Sequence, residues 1–224
     1  MGSTESQQPQ SPPESSAPSE GEAAVASEGE AAVLETHLGP VRARCFGPSS
    51  AARRALAIHG QSSKLAVREE WTNAAAALGA SGYRVVVPDW HSNDRTAPPA
   101  VADEDIAKIA ALALGDSEDH AAPVLLLGKS WGGAAAARYA AAHGSRVAAL
   151  VLVAPAAVDA EAASKLDMPL LLMHTRDDAP AVSKAEVFGV CPRIERHVVD
   201  EGGHRILPSY SSAIERFARA SCPP

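Results

Sequence analysis

The run Gly128-Lys129-Ser130-Trp131-Gly132-Gly133 constrains the fold of this chain more than any other segment. Apolar residues 124–127 precede it, and an alanine-rich pattern typical of a helix follows. A strand that turns directly into a helix leaves room only for small residues two positions either side of the central one, here Gly128 and Gly132. The turn exposes the serine hydroxyl at a helix N-terminus, where backbone N–H groups favour developing negative charge. The pattern therefore predicts a nucleophilic Ser130 between a buried strand and a helix.

Composition sets the broad class of the protein. The chain has 224 residues, of which 46% are hydrophobic, enough for one domain with a core. No apolar run approaches the roughly 20 residues needed to span a bilayer, so we expect no membrane partner. The net charge of −7 comes mostly from residues 1–30, which hold six glutamates and no lysine or arginine. The rest is close to neutral, which disfavours nucleic acid as a partner.

Residues 1–30 are predicted to be a disordered acidic tail, and residues 31–224 a folded domain. The tail is rich in serine, proline, glutamine, glycine and glutamate, so it buries too little apolar surface to offset its ordering entropy. It has neither the basic start and apolar core of a secretory signal nor the arginines of a transit peptide. The three cysteines are an odd number without metal-like spacing. Free thiols in a reducing compartment follow, which predicts a cytoplasmic protein without a metal site.

The remaining sequence alternates between strand and helix patterns, with a hairpin-like start. The predicted strands are residues 32–38, 41–46, 54–58, 83–87, 124–127, 147–153, 169–173 and 194–199. The predicted helices are residues 65–78, 106–113 and 134–142, and a terminal helix that contains Ile214 and Phe217. Continuous apolar strands separated by helices predict an α/β fold with a mostly parallel sheet covered on both faces.

Chemically useful residues follow several of these strands. Ligands of such sheets sit beyond the carboxyl ends of the strands. Ser130 follows one strand, Asp177 and Asp178 follow another, and His204 follows the last. The chain order serine, acid, histidine is the one expected for a hydrolytic triad on a sheet of this kind.

The chain from residue 31 to its end resembles the α/β-hydrolase superfamily. The resemblance rests on the elbow around Ser130, on His59-Gly60 after the third strand, on the acid around Asp178 and on Gly203-His204. It implies an α/β-hydrolase fold with a triad of Ser130, His204 and an acid.

Within the superfamily, the chain most resembles the small proteins called abhydrolase domain-containing protein 14. It shares their size, their two-strand start and the short passage from Val153-Ala154-Pro155 to Met168-Pro169. It departs from many relatives after Asp89, where Trp90-His91-Ser92-Asn93-Asp94 replaces a glycine-rich turn. We therefore expect a different rim to the pocket.

The triad roles follow from acid–base chemistry. His204 would take the proton of Ser130 and later give it to the leaving group, while a carboxylate fixes the imidazole tautomer. In the family pattern the acid lies three residues after a small residue that follows the strand. Asp177 and Asp178 both compete for the role of the acid. With Thr175 in the small position the pattern favours Asp178, which would leave Asp177 as a solvated loop charge or a partner of Arg176. Asp89 is an outside candidate.

The resemblance also implies an oxyanion hole made by the backbone N–H groups of Gln61 and Trp131, with His59 ordering the loop before Gln61. The Trp131 side chain is a candidate wall of the pocket. Lys129 is expected to be exposed, with steering of an anionic acyl group as the alternative. His174 and His197 are expected to be surface or packing residues.

These features predict a serine hydrolase that cleaves a small carboxylic ester or related acyl bond through a Ser130 acyl-enzyme, without a cofactor. An amidase or deacylase acting on acylated amines is the enzymatic alternative. A non-catalytic interaction module is the alternative of another class, although such a protein would be expected to lose the serine or the histidine. The connection between Val153 and Pro169 has room for one or two helical turns around residues 160–166. Without a large lid there, we expect an open site for small acyl substrates.

Overall fold

A single eight-stranded sheet organises the protein. The computed structural model describes residues 29–36, 39–60, 68–89 and 122–222. The strands in this part of the chain are β1 (Glu30–Thr36), β2 (Gly39–Phe46), β3 (Arg53–Ile58), β4 (Tyr83–Asp89), β5 (Val124–Lys129), β6 (Val147–Val153), β7 (Leu170–Thr175) and β8 (Ile194–Val199). Their order in the sheet is β1-β2-β4-β3-β5-β6-β7-β8. Only the β1–β2 and β2–β4 pairs are antiparallel among them, which confirms the predicted mostly parallel α/β sheet.

Helices follow most of the parallel strands. They are α1 (Thr72–Ala80), α2 (Trp131–Ala142), α3 (Ala160–Ser164), α4 (Ala179–Ala185) and α5 (Tyr210–Ser221). Short 3-10 turns cover Arg68–Trp71, Gly144–Arg146 and Glu186–Val190. The helix predicted from residue 65 begins as an α-helix only at Thr72, because its first turn is 3-10. The helix predicted at residues 106–113 and the loop at residues 90–94 lie outside the described residues.

The predicted tail meets the sheet at its last residue. Glu30 is the first residue of β1, where it is in register with Cys45 and lies 3.1 Å from the guanidinium of Arg84. Strand β1 therefore begins two residues before the expected start of the first strand at residue 32. Residues 1–28 lie outside the described part of the chain, so the expected disorder of the tail stays a prediction.

The sheet separates the core into two layers. Successive side chains of a strand point to opposite faces, so a continuous apolar strand supplies both layers. On one face, Leu126 and Leu150 pack among the alanines of α2. On the other, Leu125 and Val151 belong to a cluster with residues of α1 and α5. This burial on both faces explains why the central strands lack polar alternation.

The three cysteines are free thiols, as predicted, and all lie in the described part of the chain. Cys45 and Cys191 are buried and Cys222 is half-buried. Burial raises the pKa of each thiol above its usual value. Where the structure is described, no helix is both long and apolar enough to cross a bilayer.

Tyr83 offers a test of how the start of β4 is tied to the terminal helix. Its buried hydroxyl donates to the carbonyl oxygen of Ala218 at 3.1 Å. We expect Tyr83→Phe to lower the free energy of unfolding by about 0.5–1.5 kcal/mol near neutral pH. Burial raises the pKa of Tyr83 to about 12. The folded state resists ionisation of this phenol, so its contribution is complete below about pH 10, the usual tyrosine pKa, and declines as pH rises further.

Urea unfolding of both proteins between neutral and strongly alkaline pH measures this effect. The difference in stability between wild type and Tyr83→Phe should shrink above about pH 10. A difference that stays constant through that range would contradict the assigned burial of the hydroxyl.

Candidate active site

The predicted site residues gather at one edge of the sheet. Strands β5, β6, β7 and β8 are parallel neighbours, so their carboxyl ends face the same way. Ser130 directly follows β5, Asp178 lies three residues after β7, and His204 lies in the loop after β8. The parallel connections therefore bring residues more than 70 positions apart to one side of the molecule.

Ser130 sits in a strained turn between β5 and α2. Its φ of 52° and ψ of −118° lie outside the ordinary regions for a residue with a side chain. Its N–H donates to the Val153 carbonyl at 3.0 Å. Its own carbonyl accepts from the N–H groups of Ala134, at 3.0 Å, and Ala156, at 2.8 Å. These bonds to β6, to the loop after β6 and to α2 hold the strained conformation in place.

Glycines around Ser130 give the backbone room to approach itself. A Cβ at Gly128 would lie 2.5 Å from the Gly132 carbonyl oxygen. A Cβ at Gly132 would collide with the carbonyl oxygens of Ile58 and His59 at the end of β3. Carbon atoms do not approach oxygen this closely without displacement of the backbone. The small residues predicted from the elbow pattern are thus required sterically.

Asp178 and His204 are in direct contact. Nδ1 of His204 lies 2.6 Å from Oδ2 of Asp178, a short hydrogen bond to a carboxylate. The Asp178 side chain is 6% exposed and that of His204 is 46% exposed. Asp178 also caps α4, because its Oδ1 accepts the N–H of Ala181 at 3.3 Å. One carboxylate oxygen therefore orients the imidazole while the other fixes the carboxylate to a helix.

This contact determines what the imidazole can do. With Nδ1 donating to the carboxylate, the neutral ring carries its lone pair on Nε2. That nitrogen can accept a proton from an incoming hydroxyl. Among the described residues, no hydrogen bond joins His204 to the Ser130 hydroxyl. Hydrogen bonds of this kind often form only when substrate is bound, so Ser130 stays the candidate nucleophile.

Of the two expected oxyanion donors, Trp131 lies in the described part of the chain. Trp131 is the first residue of α2, where the N–H groups of a helix have no partner in the preceding turn. Its half-buried side chain packs against the core. Gln61 lies outside the described residues. His59 is buried two residues before it, and its Nδ1 donates to the Gly60 carbonyl at 2.7 Å, while its expected role in ordering the loop stays a prediction.

Asp177 differs from both alternatives expected for it. It is exposed, but its carboxylate accepts the N–H groups of Gly202 at 3.1 Å and Gly203 at 3.0 Å. Arg176 pairs instead with Asp200, at 2.9 Å. The two adjacent glycines are the only feature of the sequence that indicates such a contact, because glycine lets another group approach the backbone closely. Nothing in the sequence indicates that Asp177 is the group that does so.

The remaining candidates contact residues other than His204. Asp89, at the end of β4, is 3.9 Å from the guanidinium of Arg42. His174 is buried and its Nδ1 contacts the Thr175 carbonyl at 3.2 Å. His197 packs edge-on against the ring of Tyr210. The expectation that both histidines are surface or packing residues agrees with these contacts.

The expected exposure of Lys129 is wrong. Lys129 is 7% exposed, and its Nζ lies 2.8 and 3.0 Å from the two carboxylate oxygens of Glu70. A buried ammonium needs such a partner because its desolvation is costly. Sequence reasoning missed Glu70, which lies 59 residues earlier in a 3-10 turn and carries no motif.

No group of three or more histidine, cysteine, aspartate or glutamate side chains that could hold a metal ion occurs within residues 29–36, 39–60, 68–89 and 122–222.

Comparison with known proteins identifies the architecture. A family model for the α/β-hydrolase fold matches residues 58–173, slightly more than half of the chain. No curated protein sequence matches the chain at a significant level.

Several solved structures have a similar fold. One is a predicted CIB-like hydrolase from Thermoplasma acidophilum, 19% identical, with a TM-score of 0.70 over 85% of this chain and 98% of the other. Another is Est1E from Butyrivibrio proteoclasticus, 13% identical, with a TM-score of 0.69 over 87% of this chain and 99% of the other. A third is naproxen esterase from Bacillus subtilis, 17% identical, with a TM-score of 0.64 over 84% of this chain and 90% of the other. At these identities the likeness concerns the fold.

The close approach at Gly132 can be tested by substitution. We expect Gly132→Ala to lower the free energy of unfolding by about 1–3 kcal/mol or more, since the new methyl group meets two backbone oxygens that cannot move independently. Gly144→Ala is the matched control, because its Cβ would meet its nearest atoms at 3.6 and 3.7 Å, ordinary contact distances. Urea unfolding of both variants measures the difference. Equal stability of Gly132→Ala and wild type would contradict the steric account of the elbow.

Proposed function

This chain belongs to the α/β-hydrolase family, and we propose that it is a serine hydrolase that cleaves a small carboxylic ester or related acyl bond. The observation that carries the proposal is the 2.6 Å contact between His204 and Asp178 at the sheet edge that also holds the strained Ser130. Strain of this kind persists only where surrounding structure maintains it, and it clusters at functional sites. A protein that served only as an interaction module would have no need of the strained serine or of the oriented histidine.

The proposed reaction has two halves. In the first, Ser130 Oγ attacks the substrate carbonyl carbon while Nε2 of His204 accepts the hydroxyl proton. Asp178 keeps the imidazole in the required tautomer and stabilises the imidazolium. The N–H groups of Trp131 and Gln61 would stabilise the oxyanion, which typically contributes a factor on the order of 10²–10³ for each donor. His204 then gives its proton to the leaving group as the carbon–oxygen bond of the ester breaks.

The second half releases the acyl group. Water attacks the acyl-enzyme, His204 takes a proton from that water, and the serine leaves with the proton restored to it. Cleavage of an acylated amine would use the same residues and differ only in the leaving group, so paired ester and amide substrates distinguish the two.

We also propose that the chain belongs with the abhydrolase domain-containing protein 14 group, on the basis of its two-strand start and its short connection after β6. Its free thiols favour a reducing compartment such as the cytoplasm.

Active-site labelling tests the triad directly. We expect a fluorophosphonate to label Ser130 and the label to vanish in Ser130→Ala. Asp178→Asn should lower kcat by a factor on the order of 10⁴, by analogy with other triad acids. Asparagine is also a good helix cap, so this variant should retain the start of α4. Mass spectrometry of the labelled peptide and hydrolysis of p-nitrophenyl acetate provide the measurements. A folded protein without a Ser130 adduct would refute the proposal.

The substrate size can be predicted from the connection between β6 and β7, which contains only the five-residue helix α3. Each methylene removed from water contributes about 0.8 kcal/mol, so a deep channel would raise kcat/KM steadily with acyl length. An open site buries only the first carbons. We therefore expect p-nitrophenyl esters to be cleaved best from acetate to butyrate. Rates that keep rising to decanoate would instead indicate a long pocket.

A further inference from the structure

Asp177 and Asp178 both contact the part of the chain that carries His204, but in different ways. Asp178 binds the imidazole, whereas Asp177 binds the backbone just before it. Oδ2 of Asp177 lies 3.1 Å from the Gly202 nitrogen and 3.2 Å from that of Gly203, and Oδ1 lies 3.0 Å from the Gly203 nitrogen. We propose that Asp177 is a positioning residue that holds the loop before His204 in register with Asp178, an inference that rests on the proposed function.

The attachment matters because, apart from the hydrogen bond to Asp178, packing restrains only part of the imidazole. The His204 side chain is 46% exposed, so packing against the core restrains only part of it. Gly202 and Gly203 have φ of 144° and 63°, conformations that favour glycine. Because glycine has no Cβ, sterics alone do not restrict these two residues to the observed conformations. A Cβ at Gly203 would meet nothing within 4 Å, so the loop is not wedged at that residue by neighbouring atoms.

A second side chain supports the same contact. The Thr175 hydroxyl donates to the Gly203 carbonyl at 3.2 Å and also interacts with the Asp177 carboxylate. Bonds to Thr175 and to the two glycine N–H groups lower the pKa of Asp177 below its usual value. A carboxyl group whose pKa is lower in the folded state contributes to folding stability at higher pH. It loses that stabilising contribution only as the pH falls below about 4, the usual carboxyl pKa, and through the folded pKa. The attachment is therefore fully charged at neutral pH.

Asp177→Ala tests the proposal, with Asp200→Ala as the matched control. Asp200 is an exposed acid of the same loop that pairs with Arg176 and does not bind the glycine N–H groups. We expect Asp177→Ala to lower kcat for p-nitrophenyl acetate roughly 10- to 100-fold, because small displacements of a catalytic group have effects of this size. KM should change less than about twofold, since the residue acts on the catalytic step. Asp200→Ala should retain near wild-type kcat.

Asp177→Asn adds a conservative variant that also covers poor folding of the alanine variant. Its carbonyl oxygen can accept from Gly202 and Gly203, while its amide NH₂ group, which is a donor only, cannot accept the Gly203 N–H as the second carboxylate oxygen does. Its kcat should therefore lie between those of wild type and Asp177→Ala. If kcat of Asp177→Ala stays within about twofold of wild type, or if Asp200→Ala falls equally, the positioning role is refuted.

Hydrogen exchange separates this proposal from the proposed function, because it needs no substrate. The Gly202 and Gly203 amides should exchange faster in Asp177→Ala than in wild type or Asp200→Ala. If wild type neither hydrolyses esters nor binds a fluorophosphonate, the serine hydrolase proposal fails, and faster exchange would still support the attachment of the loop. Unchanged exchange at both glycines would overturn the attachment.

Discussion

The backbone of Ser130 must adopt a positive φ in a turn that has no space for neighbouring side chains, and the candidate site depends on this constraint. Strain costs of the order of 1–3 kcal/mol persist only if surrounding structure fixes the residue. Here the fixation comes from hydrogen bonds to Val153 and Ala156, which belong to the next strand and its loop. The turn therefore cannot form by itself, and its geometry depends on the correct pairing of β5 with β6.

The parallel sheet supplies that pairing and also delivers the other groups. Because β5 to β8 are parallel neighbours, each connection returns the chain so that every strand ends at the same edge. The groups placed there are attached to rigid elements. Asp178 is held by the first turn of α4, and the loop that carries His204 is held by the end of β7 through Thr175 and Asp177. Groups fixed in this way would need little rearrangement for the proton transfer that we propose between Ser130 and His204.

The charge beside the candidate nucleophile is compensated. Lys129 precedes Ser130, yet its ammonium is buried against both carboxylate oxygens of Glu70. An ammonium engaged in this way has little field left to attract an anionic acyl group. The pair instead joins the end of β5 to the turn before α1, next to Gly60, whose Cβ position would lie 3.1 Å from the Lys129 side chain. Packing at this point thus involves the strand, the turn and Gly60.

The sequence by itself determined the features that depend on local sterics and on periodicity. Glycines two residues either side of Ser130 indicate a sharp turn, because such a turn has no space for larger side chains at those positions. Continuous apolar strands indicate a sheet covered on both faces, because the side chains of each strand point into two layers. The tertiary structure decided which of two adjacent carboxylates contacts His204. The side chains of neighbouring residues point in different directions, so only the path of the folded chain determines which one faces the imidazole. It also decided that Lys129 is buried against Glu70 and that Asp177 binds the glycine N–H groups. Both contacts join segments that are distant in sequence, so only the folded chain brings the partners together. Local patterns carry no information about which distant group will supply the partner of a buried or constrained charge.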